Sequence, residues 1–258
     1  EVLADATETC PDMDVVIIAG NHDSASRLEA PRALLTRYKV EIRGNIHRSW
    51  VANKDGGNWV INYDDLMIPI NGGDGSQAIV LTVPYLRSDV VQNANYSEGV
   101  NTILRELTAK AREKYRDSPL IMIAHMYAKG ADIAKSDASE KIVIGGQEEV
   151  NMQGWDKHPD YFACGHIHKR QHIWNTDWAH YPGSALPMSF AEKDYHHGVD
   201  LVTIENGAKP QIEFLEYEPQ HKLISLPETE EGLTLKKLEN LINTELQNRT
   251  DGKLGDDF

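Results

Sequence analysis

Three short stretches hold residue types that bind divalent ions and move protons: Gly20-Asn21-His22-Asp23, His125, and Gly165-His166-Ile167-His168. Imidazole nitrogen and amide oxygen both ligate first-row divalent ions, and a mixed nitrogen and oxygen set favours Mn, Fe or Zn over a thiolate-preferring metal. His166 and His168 stand two residues apart, so an extended backbone turns both to one side, and Gly165 before them lets the main chain pass close to an ion. Each stretch taken alone has an ordinary reading as a turn or a hydrogen-bonded histidine. Their shared position is what matters.

That position follows from the elements before them. Residues 14–19, 119–124 and 161–164 are short, largely apolar runs of strand length, and each feeds directly into one of the three stretches. Open α/β sheets collect their sites at the C-terminal ends of strands, so the three could converge in space. A helix is expected over residues 101–115 from Ile103, Leu104, Leu107 and Ala111, and another over 235–246 from Leu235, Leu238, Leu241, Ile242 and Leu246. Further strands are expected at 40–43, 59–62, 78–83, 179–181, 199–204 and 211–217, with turns at 55–57 and 71–75. A helical spacing around Pro31 continues the first strand and loop, and a helix-like segment covers residues 2–9. The final residues, 250–258, carry little to bury.

The bulk properties bound the function. With 258 residues and 40% hydrophobic composition the chain can bury a core, and no apolar run reaches the ~18 residues of a membrane helix. Twenty-six basic against forty acidic side chains give a formal charge of −14, which opposes unaided binding to a polyanion, so any nucleic acid would have to be met locally. Cys10 and Cys164 are too few for a disulfide framework and fit a cytoplasmic setting. The chain contains no phosphate-binding loop of the Gly-x-x-x-x-Gly-Lys-Ser/Thr type, so ATP hydrolysis by that route would need another protein. His47, His158, His172, His180, His196, His197 and His221 match no motif and read as surface or hydrogen-bonded residues.

The three stretches resemble the later signature motifs of calcineurin-like metallophosphoesterases. Residues 19–32 (AGNHDSASRLEAPR), 144–150 (IGGQEEV), 161–171 (YFACGHIHKRQ) and 181–192 (YPGSALPMSFAE) resemble, within that superfamily, SbcD-type exonuclease subunits of bacterial double-strand-break repair complexes. The resemblance covers residues 12–217. It implies an α/β sandwich of mixed sheets flanked by helices over residues 1–209, and from 210 the start of a small α+β capping domain. It also implies a dinuclear site, with Mn the expected ion and Mg, Fe or Zn the alternatives. Asn21, His125 and His166 would hold one ion and His168 the other, while His22 would act as catalytic acid.

Asp23 has two readings, orienting a neighbouring histidine or closing its own turn. Arg27, Lys169 and Arg170 could touch DNA phosphates or be solvated surface charges. The implied reaction is metal-dependent 3′-to-5′ exonuclease and hairpin endonuclease cleavage of DNA. The implied partner is an SbcC-type coiled-coil ATPase, in a heterotetramer built on a homodimer, in the cytoplasm at the nucleoid and without membrane. The family's Asp-Xaa-His strand end and its Gly-Asp motif do not precede Gly20. The sequence is therefore expected to be trimmed of its first strands, and expected alone to bind metal weakly and cleave nothing. Two rivals remain open: a phosphoesterase acting on small phosphoesters, and a non-catalytic module that docks the ATPase.

Overall fold

The computed structural model describes residues 2–52, 56–91, 95–132, 149–151, 155, 157–219, 223–227 and 232–250. Most of the 144–150 segment, His221 and residues 251–258 lie outside the described residues. At the centre is a six-stranded mixed sheet in the order Gln171–His172, Ala179–Tyr181, Tyr161–Gly165, Leu120–His125, Gln77–Val83 and Met67–Asn71. The four inner strands run parallel, and the two outer strands are antiparallel to their neighbours.

Period-two alternation explains how this sheet divides its two faces. Leu120, Met122 and Ala124 are buried, whereas Ile121, Ile123 and His125 are only partly covered. The buried face packs on the helix Tyr96–Lys114 through Val100, Ile103, Leu104, Leu107 and Ala111, the stripe a 3.6-residue period lays on one side. That helix begins five residues before the expected start. Asn95 caps it, its side-chain oxygen accepting from the Glu98 amide, so an Asn followed three residues later by Glu was the signal.

A second, smaller layer lies against the other face. Val15–Ile18 pairs in parallel with Val40–Arg43 and sits against the Gln77–Val83 and Leu120–His125 strands. The Tyr85 amide donates to the Ala19 carbonyl at 2.9 Å, which ties the ends of the two layers together. Val15–Ile18 stays half-buried along its length, whereas Val40 and Ile42 beside it are buried. The segment around Pro31 resolves into the short helices Ala25–Glu29 and Arg32–Leu35 and a 3-10 turn at Thr36–Tyr38. Met67–Asn71, like the short strands Arg48–Val51, Tyr127–Ala128, Glu149–Val150 and Gln171–His172, had no expectation. Pro69 interrupts its pattern, and proline is tolerated there because the strand lies at the sheet edge.

Two hairpins flank the sheet, Arg48–Val51 with Asn58–Ile61 and Gly198–Thr203 with Gln211–Glu216. The division expected between residues 209 and 210 falls in the connection of the second hairpin. The helix Leu235–Thr250 follows. The result is a mixed α/β fold with a mixed sheet flanked by helices, and its parallel strands all deliver their C-terminal ends to one edge.

Candidate metal centre

At that edge the strand Val15–Ile18 runs into Gly20 and Asn21, Leu120–His125 ends in His125, and Tyr161–Gly165 runs into His166. Asn21 Oδ1 lies 2.8 Å from His125 Nε2, across 104 residues of sequence. The His125 and His166 rings stand edge to face with centroids 5.2 Å apart. Tyr85 and Tyr127 add their edges to His125 and His166 at 6.1 and 6.2 Å.

Close approach demands glycine here. A Cβ on Gly20 would lie 2.8 Å from His125 Cε1, and one on Gly165 would lie 3.0 Å from His125 Nδ1. Two glycines therefore cradle one imidazole. His166 adopts φ +107°, a conformation that L side chains rarely enter and that costs about 1–3 kcal/mol. The residue before it, Gly165, is held in register with His125 across the parallel strands.

Burial keeps both imidazoles neutral. His125 is pushed down to about 4, first by loss of water and then by repulsion from His166, with Asp23 pulling weakly the other way. His166 is also pushed down to about 4, by burial and by the charges His168 and His22 would carry. Neutral imidazoles keep a lone pair available for an ion.

The other expected residues surround this trio. His22 is exposed on the loop, within electrostatic reach of both rings. The Asp23 carboxylate accepts from the Gly20 amide at 2.7 Å and so closes its own turn, while its charge acts on His125. His168 turns Nδ1 to Glu192 Oε1 at 2.9 Å. Arg27 is exposed on Ala25–Glu29. Lys169 pairs with Asp132, and Arg170 Nε pairs with Asp200 Oδ1 at 2.8 Å while its guanidinium lies over Phe214. A cavity of about 320 Å³ beside the trio is lined by Gly20, Asn21, Asp23, Asn45, Tyr85 and Arg87 among others.

Sequence reasoning gave no role to Tyr85, Tyr127 or Glu192. Glu192 closes the quoted 181–192 segment, and only its full burial beside His168 distinguishes it.

The donor chemistry suits a divalent ion on the Asn21, His125 and His166 side, where two neutral imidazoles and an amide oxygen stand together. Among the described residues no group of three or more His, Cys, Asp and Glu side chains that could hold a metal ion is found, so this trio depends on the amide and lacks a carboxylate to balance the ion's charge.

Known proteins share much of this sequence, although no family model matches the chain. The SbcD polypeptide of the SbcCD nuclease from Rhodobacter capsulatus is 31% identical over 220 residues, which are 81% of this chain and 52% of that relative. The protein of the same name from Escherichia coli K12 is 29% identical over 78% of this chain and 49% of its own length. That from Bacillus subtilis is 26% identical over 75% and 47% respectively. The chain is thus similar to SbcD-type subunits over most of its own length. It spans about half the length of these SbcD relatives. Among its described residues no helix is long and apolar enough to cross a membrane.

Proposed function

We propose that this SbcD-type chain is the metal-binding part of a nuclease subunit that hydrolyses DNA phosphodiesters, as a 3′-to-5′ exonuclease and hairpin endonuclease, in repair and recombination. The carrying observation is the meeting of Asn21, His125 and His166 at one strand edge, with Asn21 Oδ1 2.8 Å from His125 Nε2. The relatives are named as the SbcD component of the SbcCD nuclease, which supports the reaction class and a partner of SbcC type.

In this reading Asn21, His125 and His166 hold one divalent ion and His168 contributes to a second, Mn being the expected metal. Two such ions, when bound, supply an activated water and charge stabilisation on the phosphoryl oxygens. The chain's own residues do the rest. His22, exposed on its loop beside the trio, donates a proton to the departing ribose oxygen. Gly20 and Gly165 leave the space that the His125 ring occupies, which a Cβ at either position would invade. Arg27 offers an exposed cationic end to the DNA backbone, whereas Lys169 and Arg170 first have to leave Asp132 and Asp200. Residues from 210 onward begin a capping region, and the assembly is a homodimer joined to the ATPase, acting in the cytoplasm.

That no group of three or more His, Cys, Asp and Glu side chains able to hold a metal ion is found among the described residues favours a second reading, a non-catalytic module that docks the ATPase. Mn2+ titration followed by EPR, on wild type, Asn21→Ala and His125→Ala, separates them. It is run beside digestion of 3′-labelled duplex and hairpin DNA, with and without the SbcC-type partner. The nuclease reading expects weak Mn2+ binding that both substitutions abolish, no cleavage by the 258 residues alone, and Mn2+-dependent cleavage by the full-length protein in its complex. Mn2+ binding indifferent to both substitutions would sink it.

A further inference from the structure

We propose that Glu192 is a positioning residue that fixes the tautomer and aim of His168, and that His197 and Ser184 close the ring holding it. This rests on the reading of His168 as a metal-binding side chain and extends it to residues that touch no ion.

Four hydrogen bonds form a closed circuit. His168 Nδ1 donates to Glu192 Oε1 at 2.9 Å. His197 Nε2 meets the Glu192 carbonyl at 3.1 Å, and His197 Nδ1 meets both the Ser184 hydroxyl at 3.1 Å and the Ser184 carbonyl at 3.2 Å. The Ser184 amide returns to the His168 carbonyl at 3.0 Å. The donor at His168 follows from its acceptor: a carboxylate offers no proton, so the Nδ1 facing it carries one.

Burial makes the circuit costly to break. The Glu192 side chain is 0% exposed and His168 27% exposed, so one end of this pair is sealed and the other opens to the site. The second carboxylate oxygen accepts from the Met188 amide at 2.9 Å, and a Ser189 hydroxyl approaches the first at 3.5 Å. Gly183 passes so close that a Cβ would lie 2.8 Å from the His168 carbonyl oxygen, and its φ of +83° suits glycine. Side chain and backbone of His168 are thus gripped separately. With the proton held on Nδ1, the lone pair belongs to Nε2, the nitrogen not turned to Glu192.

The test reads the proton directly. Long-range 1H–15N spectra of the full chain labelled in histidine, with His168 assigned through His168→Asn, report which ring nitrogen carries it. Wild type is expected to carry it on Nδ1. Glu192→Ala is expected to shift it to Nε2. Glu192→Gln is expected to give a mixture, because an amide has one acceptor oxygen for the two donors His168 Nδ1 and Met188 N. A wild-type proton on Nε2, which requires no variant to fold, overturns the proposal, as does an unchanged tautomer in Glu192→Ala. Mn2+ added to the same samples is expected to broaden the His168 signals, with about 10- to 100-fold weaker apparent affinity in Glu192→Ala. The tautomer series without any broadening supports the positioning and overturns the reading of His168 as a metal ligand.

Discussion

Among the described residues two pairs of histidines meet ring to ring, and their surroundings differ. His172 and His180 lie with centroids 4.0 Å apart, and His180 is 1% exposed. Its Nδ1 donates to Asp200 Oδ2 at 2.9 Å, and the other oxygen of that buried carboxylate takes Arg170. His125 and His166 are 5.2 Å apart, but they face an amide oxygen, two tyrosine edges and two glycines. The first pair is compensated by its own carboxylate and cation. The second leaves neutral donors beside Asn21, which lines a cavity, and one of them stands on a strained backbone. Internal compensation marks the structural cluster, and its lack marks the one available to a ligand.

Substitutions can break this contrast. The largest effect is expected from His22→Ala in the complete nuclease complex, a loss of about 10²- to 10⁴-fold in turnover with DNA binding retained, read by single-turnover cleavage. Unchanged turnover would remove the open cluster's catalytic role. Asp200→Ala should cost about 3–5 kcal/mol in urea unfolding, since Arg170 and His180 lose their shared carboxylate, while Mn2+ binding survives if the two clusters are independent.

Acid gives a third measure. The unfolded chain takes protons on His125 and His166 near pH 6.5, whereas the native site refuses them until about 4, so stability must fall as pH drops through that window. The loss is on the order of 3 kcal/mol for either imidazole alone. Urea midpoints of the EDTA-treated chain at pH 7 and 4.5 should show it, and His125→Gln should flatten the dependence. The smallest effect serves as a baseline outside both clusters: Asn95→Ala should cost about 1 kcal/mol through loss of the helix cap and alter neither tautomers nor Mn2+ binding.

Much of the fold was legible because burial writes itself into local spacing. The inner parallel strands, the stripe on Tyr96–Lys114 and the placement of Asn21, His125 and His166 at strand ends all follow from runs of apolar residues and what comes directly after them. Met67–Asn71 was hidden because Pro69 argues against a strand unless one already knows it lies at an edge. The dual reading of Asp23 was likewise beyond spacing, since its turn bond to Gly20 and its field on His125 exist together.

By itself, the amino-acid order determined the element types, the acidic balance and the donor atoms on offer, because periodicity, charge and side-chain chemistry are properties of neighbours in the chain. Only the tertiary structure decided that Asn21 meets His125, that Glu192 is sealed behind His168, and that Arg170 is spent on Asp200. Those pairings depend on strand order and register across 104, 24 and 30 residues, and no local pattern encodes a distance between segments so far apart.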